Sequence, residues 1–400
     1  MKKLKEYIDK IKPNFMPGGR YSKLQSVFEG FETFLFTPDT VRKTGVHVHD
    51  SIDLKRTMII VVIALIPTLL FGMYNVGYQH YLAIGVDSSF VEKFVYGCVA
   101  MLPSIVVSYA VGLGIEFIAA QIRGHEIQEG FLVSGILIPM ICPINTPVWM
   151  IAIATAFAVV FAKEVFGGTG MNIWNVALVA RAVLFFGYPS KMSGDAVFVA
   201  TEPILGMGQG ALVDGFTGAT PLGQVASTVG NHLSITNIVG EPITLWESFV
   251  GLIPGSIGEV STLCILLGGI ILLYTGIASW KVMLSVFFGG YVMGTVCNVF
   301  ATPLYPASML TAIEQMCYGG FAFAAVFMAT DPVTGARTET GKYIYGFLVG
   351  VFAILIRVYN NGYPEGAMLA VLLMNTFAPL IDYCVVQTNI RRRLNRSKVK

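Results

Sequence analysis

Charge is what this sequence has least of. Only 12% of its 400 residues are Asp, Glu, Lys or Arg, against about 25% in a soluble globular chain. Hydrophobic residues make up 54% and the mean hydropathy is +0.68, which excludes an ordinary soluble domain. A formal net charge of +2 gives no argument for a nucleic-acid partner, and none is expected. The six cysteines include no CxxC pair and lie in or beside apolar runs, so neither a disulfide framework nor a transition-metal site is expected. The two imidazoles of "HVHDS", His47 to Ser51, could ligate a metal only from an extended strand and have no third histidine nearby; they read as a polar turn. A cleavable secretory signal is not expected either. The first long apolar run begins only near Met58, after a lysine-rich stretch.

What the sequence has instead is apolar windows long enough to cross a bilayer as helix, about 20 residues each, recurring along most of its length. Ten are read, over 57–75, 95–121, 130–144, 147–163, 173–188, 258–278, 282–301, 309–329, 342–358 and 365–386. The expected fold is an all-α polytopic membrane protein with about ten transmembrane helices. A weaker apolar stretch, "LWESFVGLIPG", precedes the sixth window and reads as an interfacial or half-inserted helix.

Ten spans place both termini on one side. Of 26 Lys and Arg, eleven lie in 1–56 and six in 391–400, and Arg123, Lys163, Lys281, Arg337 and Lys342 fall in connections on that same side. Only Lys93 and Lys191 lie opposite. By the positive-inside rule both termini are cytoplasmic. The organisation that follows is a cytoplasmic N-terminal region (1–56), a five-helix half (57–188), an outer-side segment (189–257), a second five-helix half (258–386) and a basic cytoplasmic tail (387–400). "EGFLVSGILIPM" is loosely mirrored by "GGFAFAAVFMAT", and "FAVVFAKEVFGGTGMNIWNVALVA" by "FAILIRVYNNGYPEGAMLAVLLMN". The offset of five spans is odd, so the two halves would form inverted repeats, an arrangement that places ligands and ions at short, Gly/Pro-interrupted segments.

Ionisable groups at membrane depth are costly and face a partner or a wet path. Those acids are Glu116, Glu129, Glu164, Asp331 and Asp382; Glu129, Asp331 and Asp382 are hard oxygen ligands suited to a cation, and Glu129 and Asp331 read equally as caps beside helix ends. Arg181, inside the fifth span, requires a buried anionic or carbonyl partner. "FGGTGMNIWN" could offer backbone N–H groups to an anion, or could simply let helices pack closely. Part of the spacing of Phe28, Phe31, Phe34 and Phe36 fits one face of an interfacial amphipathic helix that contacts lipid.

"VDGFTGATPLG", Val213 to Gly223, stands in the longest gap between apolar segments. Thr217 and Thr220 are separated only by Gly218 and Ala219, so both hydroxyls are unhindered, and Asp214 lies just upstream. Such a stretch makes a capping turn, or a site where an enzyme transfers a phosphate-containing group to a hydroxyl.

"DGFTGAT" resembles the D-x-x-(S/T)-G-A-(S/T) flavinylation motif. "HVHDSIDLKRTM", "KEVFGGTGMN", "IPGSIGEVSTL", "GIASWK", "GGFAFAAVFMATDPV" and "YPEGAMLA" resemble the B subunits of Na+-translocating NADH:quinone oxidoreductases, over essentially the whole chain. The resemblance implies a subunit of a six-subunit respiratory pump of the bacterial inner membrane that passes electrons from NADH, oxidised on another subunit, to a quinone and exports Na+. It implies FMN in phosphoester linkage to Thr220, attached by a flavin transferase, within a motif of Asp214, Thr217, Gly218 and Ala219. Non-covalent riboflavin, a Na+ pathway through Glu129, Asp331 and Asp382, and a quinone region near Phe28, Phe31, Phe34, His125 and Gly130 are further expectations. Two departures stand out: Val176 where the family commonly has proline, and Thr217 where serine is commoner. The rivals are the D subunit of the related ferredoxin:NAD+ ion-pumping complex, which lacks most of the polar N-terminus, and a transporter or channel without redox chemistry.

Overall fold

The computed structural model describes residues 2–16, 18–36, 44–46, 54–123, 130–193, 197–213, 215–228, 235–360 and 362–398. Glu129, His125, Asp214 and the "HVHDS" turn lie outside these residues, as does the side chain of Phe34. Among the described residues the regular structure is helical: α1 Lys2–Ile11, α2 Gln25–Leu35, α3 Leu54–Ala83, α4 Phe90–Arg123, α5 Phe131–Ile141, α6 Val148–Ala158, α7 Val176–Gly187, α8 Pro189–Met192, α9 Pro221–Ser227, α10 Leu245–Val250, α11 Thr262–Tyr274, α12 Trp280–Val299, α13 Ala312–Cys317, α14 Phe321–Phe323, α15 Glu339–Tyr359 and α16 Ala367–Lys398. α6 continues as a π-helical stretch over Val159–Glu164, and α14 over Ala324–Met328.

Each of the ten apolar windows contains a helix, but the helices are unequal. α3, α4, α12, α15 and α16 are long and apolar enough to cross a membrane. α5, α7 and α11 have 11, 12 and 13 residues. At 1.5 Å per residue, α5 covers about 16 Å, half a hydrocarbon core. The eighth window is interrupted: α13 ends at Cys317, and Gly319 and Gly320 take left-handed φ of 60° and 67° before α14 begins. Non-helical backbone at such depth is tolerated because protein surrounds it; Tyr318 and Phe321 are almost fully buried.

Local chemistry explains the boundaries. Asn175 caps α7, accepting from the N–H groups of Ala177 (3.0 Å) and Leu178 (3.3 Å). The fifth helix therefore starts at Val176, and the glycines of "FGGTGMN" form a turn ahead of it rather than its first turn. Val176 occupies the first helical position, where proline and valine are both acceptable, so the departure noted there removes no kink. α10 carries a full capping box between Thr244 and Glu247. The Thr244 backbone N–H and hydroxyl, both donating to Glu247, hold its carboxyl below the usual carboxylate range.

The two sets of five helices pack in corresponding ways. α4 packs on α6 as α12 packs on α15, second helix on fourth, and α6 on α7 as α15 on α16. Phe131, opening α5, fills the space left by Gly112 of α4, and Phe321, opening α14, fills the space left by Gly290 of α12. The first helices of the sets, α3 and α11, pack on each other, with Gly268 against the Ala64 carbonyl.

Candidate functional site

Thr220 is the N-cap of α9, and Pro221 takes the first helical position. Its Oγ1 accepts the Gly223 N–H at 3.1 Å. The proton of that hydroxyl has no acceptor among the described residues, so esterifying Oγ1 would displace an uncommitted proton and leave the cap acceptor in place. Gln224 holds the segment, bonding the Ala219 carbonyl (3.2 Å) and both backbone groups of Thr236 (2.8 and 2.9 Å). Gly218 and Ala219 are buried and Thr217 is half-buried.

Thr220 and Ala219 line a cavity of 360 Å³, shared with Arg181, Phe185, Phe198, Tyr363 and Glu365. Thr217 does not line it. The Phe185 and Tyr363 rings meet edge-on with centroids 4.2 Å apart. Aromatic walls, a few convergent polar groups and a volume above about 300 Å³ suit an organic cofactor. An accessible hydroxyl at the rim suits a phosphoester.

The floor of this cavity is ionic. Arg181 contacts the carboxylates of both Glu259 and Glu365 and donates to the Ile141 carbonyl at 2.5 Å. All three charged side chains are buried. The partner that Arg181 requires is thus a pair of acids from segments 78 and 184 residues away. Neither was singled out from sequence, although "IPGSIGEVSTL" and "YPEGAMLA" contain them; an acid beside an apolar run, matched to a lone intramembrane arginine, was the available signal. Glu259 also lies against Gly320, where a Cβ would fall 2.8 Å from Oε2.

A second cavity, of 120 Å³, lies at the opposite end of the helices and gathers Gly130, Lys163, Thr169, Asn175 and Asp331. Asp331 accepts from the Val333 N–H (3.0 Å), Thr334 Oγ1 (3.1 Å) and Asn175 Nδ2 (3.4 Å). Burial raises its carboxyl above the ordinary range, and those hydrogen bonds oppose the shift. Asp382 is not in this cavity. It accepts the N–H groups of Arg337 (2.8 Å) and Thr338 (3.0 Å) and the Thr338 hydroxyl (2.6 Å), and so secures the start of α15.

The other border acids are paired: Glu116 with Lys163, and Glu164 with Arg123 at 3.0 Å. Of the aromatic group, Phe28 stacks on Phe15 with centroids 4.6 Å apart, and Phe31 is 62% exposed. α2 lies on α4, with Gly30 against the Phe117 ring. Gly130 packs against Thr169.

Residues 41–391 match the sequence profile of the NQR2, RnfD, RnfE family. The chain is 43% identical to the B subunit of the Na(+)-translocating NADH-quinone reductase of Ectopseudomonas mendocina (strain ymp), over 98% of this chain and 99% of that protein. It is 42% identical to the proteins of the same name from Haemophilus influenzae (strain PittEE) and Klebsiella pneumoniae (strain 342), with the same coverage.

Proposed function

Since the chain belongs to the NQR2, RnfD, RnfE family, we propose that it is the B-type membrane subunit of a Na+-translocating NADH-quinone reductase, carrying FMN on Thr220. The observation that carries the flavin assignment is the Thr220 hydroxyl, its proton uncommitted, at the rim of a 360 Å³ cavity with aromatic walls and an ionic floor. Bound FMN would supply reversible acceptance and release of electrons. Phe185, Phe198 and Tyr363 would enclose its ring and exclude water, and Arg181 with Glu365 would set the charge around it. Asp214 and Thr217 serve recognition by the flavin transferase. Riboflavin is part of the same reading.

The partners are the other subunits of a six-subunit complex, one of which oxidises NADH, together with a quinone and membrane lipid. Glu129, Asp331 and Asp382 are assigned to the Na+ pathway. The quinone region is assigned to Phe28, Phe31, Phe34, His125 and Gly130. The location is the bacterial inner membrane, with the termini cytoplasmic and Thr220 outside. Full-length similarity, including the polar N-terminus, favours this reading over the D subunit of the ferredoxin:NAD+ complex.

The test is in-gel flavin fluorescence of the denatured polypeptide, made together with its flavin transferase. Wild type and Thr220→Ser fluoresce, Thr220→Val does not, and Thr217→Ala fluoresces more weakly than wild type. A dark wild-type band removes the flavin assignment.

A further inference from the structure

The corresponding packing of the two helix sets puts one basic residue at the end of each fourth helix: Lys163 after "FAVVFA" and Arg357 after "FAILI". The one-residue difference in spacing coincides with the π-helical stretch Val159–Glu164, which takes up an extra residue. Both side chains are buried, at 4% and 1% exposure. Their partners differ in kind.

Lys163 pairs with Glu116, four residues beyond Gly112 on α4. The matching position on α12, four residues beyond Gly290, is Gly294, and it is packed against Ala312 and Gln315 of α13. Among the described residues Arg357 has no carboxylate within ion-pair distance. Its Nη1 donates to the Gln315 carbonyl and, at 3.1 Å, to Gln315 Oε1. Its Nη2 donates to the carbonyls of Tyr318 (2.9 Å) and Gly319 (3.4 Å), and Nε has no partner.

Four neutral oxygens therefore converge on one buried cation at the interruption between α13 and α14. They converge because Gly319 and Gly320 turn the chain left-handed there. Gln315 is itself fixed, donating Nε2 to the Ala307 carbonyl at 2.6 Å. Carbonyl oxygens freed by a helix break are what inverted-repeat transporters use to hold a metal cation. We propose that this break is a monovalent-cation site whose resident cation is the tethered guanidinium of Arg357. A free ion is thereby excluded, and Leu222 of α9 packs on the same break at Gly319. That the excluded ion includes Na+ rests on the function proposed above; the site itself does not.

The experiment compares Arg357→Lys, Arg357→Met and Arg357→Ala in the full complex, read as monodisperse protein and thermal midpoint, with no flavin or turnover measurement. If the oxygens require a cation, Lys retains most assembled protein and Met loses most of it. Where Met or Ala protein is obtained, guanidinium chloride raises its midpoint saturably, Na+ does so less strongly, and choline chloride does not; wild type shows no response to guanidinium. Equal recovery of Met and Lys proteins overturns the proposal, because a merely space-filling arginine tolerates an apolar replacement. So does a midpoint shift no larger for guanidinium than for choline. A failed flavin assignment would leave every one of these outcomes unchanged.

Discussion

Asp331 and Asp382, seen in sequence as two similar acids near one membrane face, do different work. Asp382 is only partly buried and accepts two backbone N–H groups and a hydroxyl, so it closes the turn into α15. Asp382→Ala should cost about 1–2 kcal/mol, the range for losing a cap, seen as a lower thermal midpoint. Its proposed role in the Na+ pathway requires in addition a weaker apparent Na+ affinity of turnover; an unchanged affinity beside a lowered midpoint would leave Asp382 a cap alone. Asp331 is half-buried, and its carboxyl is raised. Relative to the unfolded chain the protonated form is favoured, so its contribution to stability is present at low pH and lost as pH rises through the raised value. A bound cation reverses that loss. Stabilisation by Na+ should therefore grow with pH above the ordinary carboxylate range, and Asp331→Asn should flatten that dependence.

At the scale of elements, side chains from α9, α15 and the segment before α11 meet at the interruption Tyr318–Gly320. Gly319 faces Leu222 and Arg357, Gly320 faces Glu259, and both have positive φ. Gly319→Ala adds about 1–2 kcal/mol of left-handed strain to a steric conflict with Leu222. Gly276, with φ 73° and open space around it, is the control in which only the strain operates. Gly319→Ala should lower the thermal midpoint clearly more than Gly276→Ala; equal shifts would mean that α9 is not seated on the break. The short helices α5, α7 and α11 follow the same logic. Their neighbours bury most of α5 and α7, whereas α11 keeps an exposed face at Leu267, Ile270 and Tyr274, and Gly, Pro and Asn near their ends stop them before they reach spanning length.

For the whole molecule the decisive quantity is the distribution of 26 basic residues among ten apolar segments. From it we propose both termini on one side and the Thr220 segment on the other. Cysteines introduced at Lys2 and in the exposed stretch near Leu205 should react from opposite sides of right-side-out vesicles with an impermeant maleimide. Reaction of both from the same side would contradict the topology.

Apolar periodicity, caps and charge bias are local properties of a chain, so the sequence alone determined the membrane class, the placement of ten helical segments and the motif holding Thr220. The family membership was equally legible, because its motifs run the length of the chain. Tertiary structure decided what depends on distant segments meeting. It set the Thr220 hydroxyl on a cavity that Thr217 does not line, joined Arg181 to Glu259 and Glu365, and left Arg357 among carbonyls where its counterpart Lys163 has a carboxylate. The reason is physical: in a chain this apolar, lipid-facing and protein-facing surfaces have the same composition. Only packing shows which buried charge finds which partner.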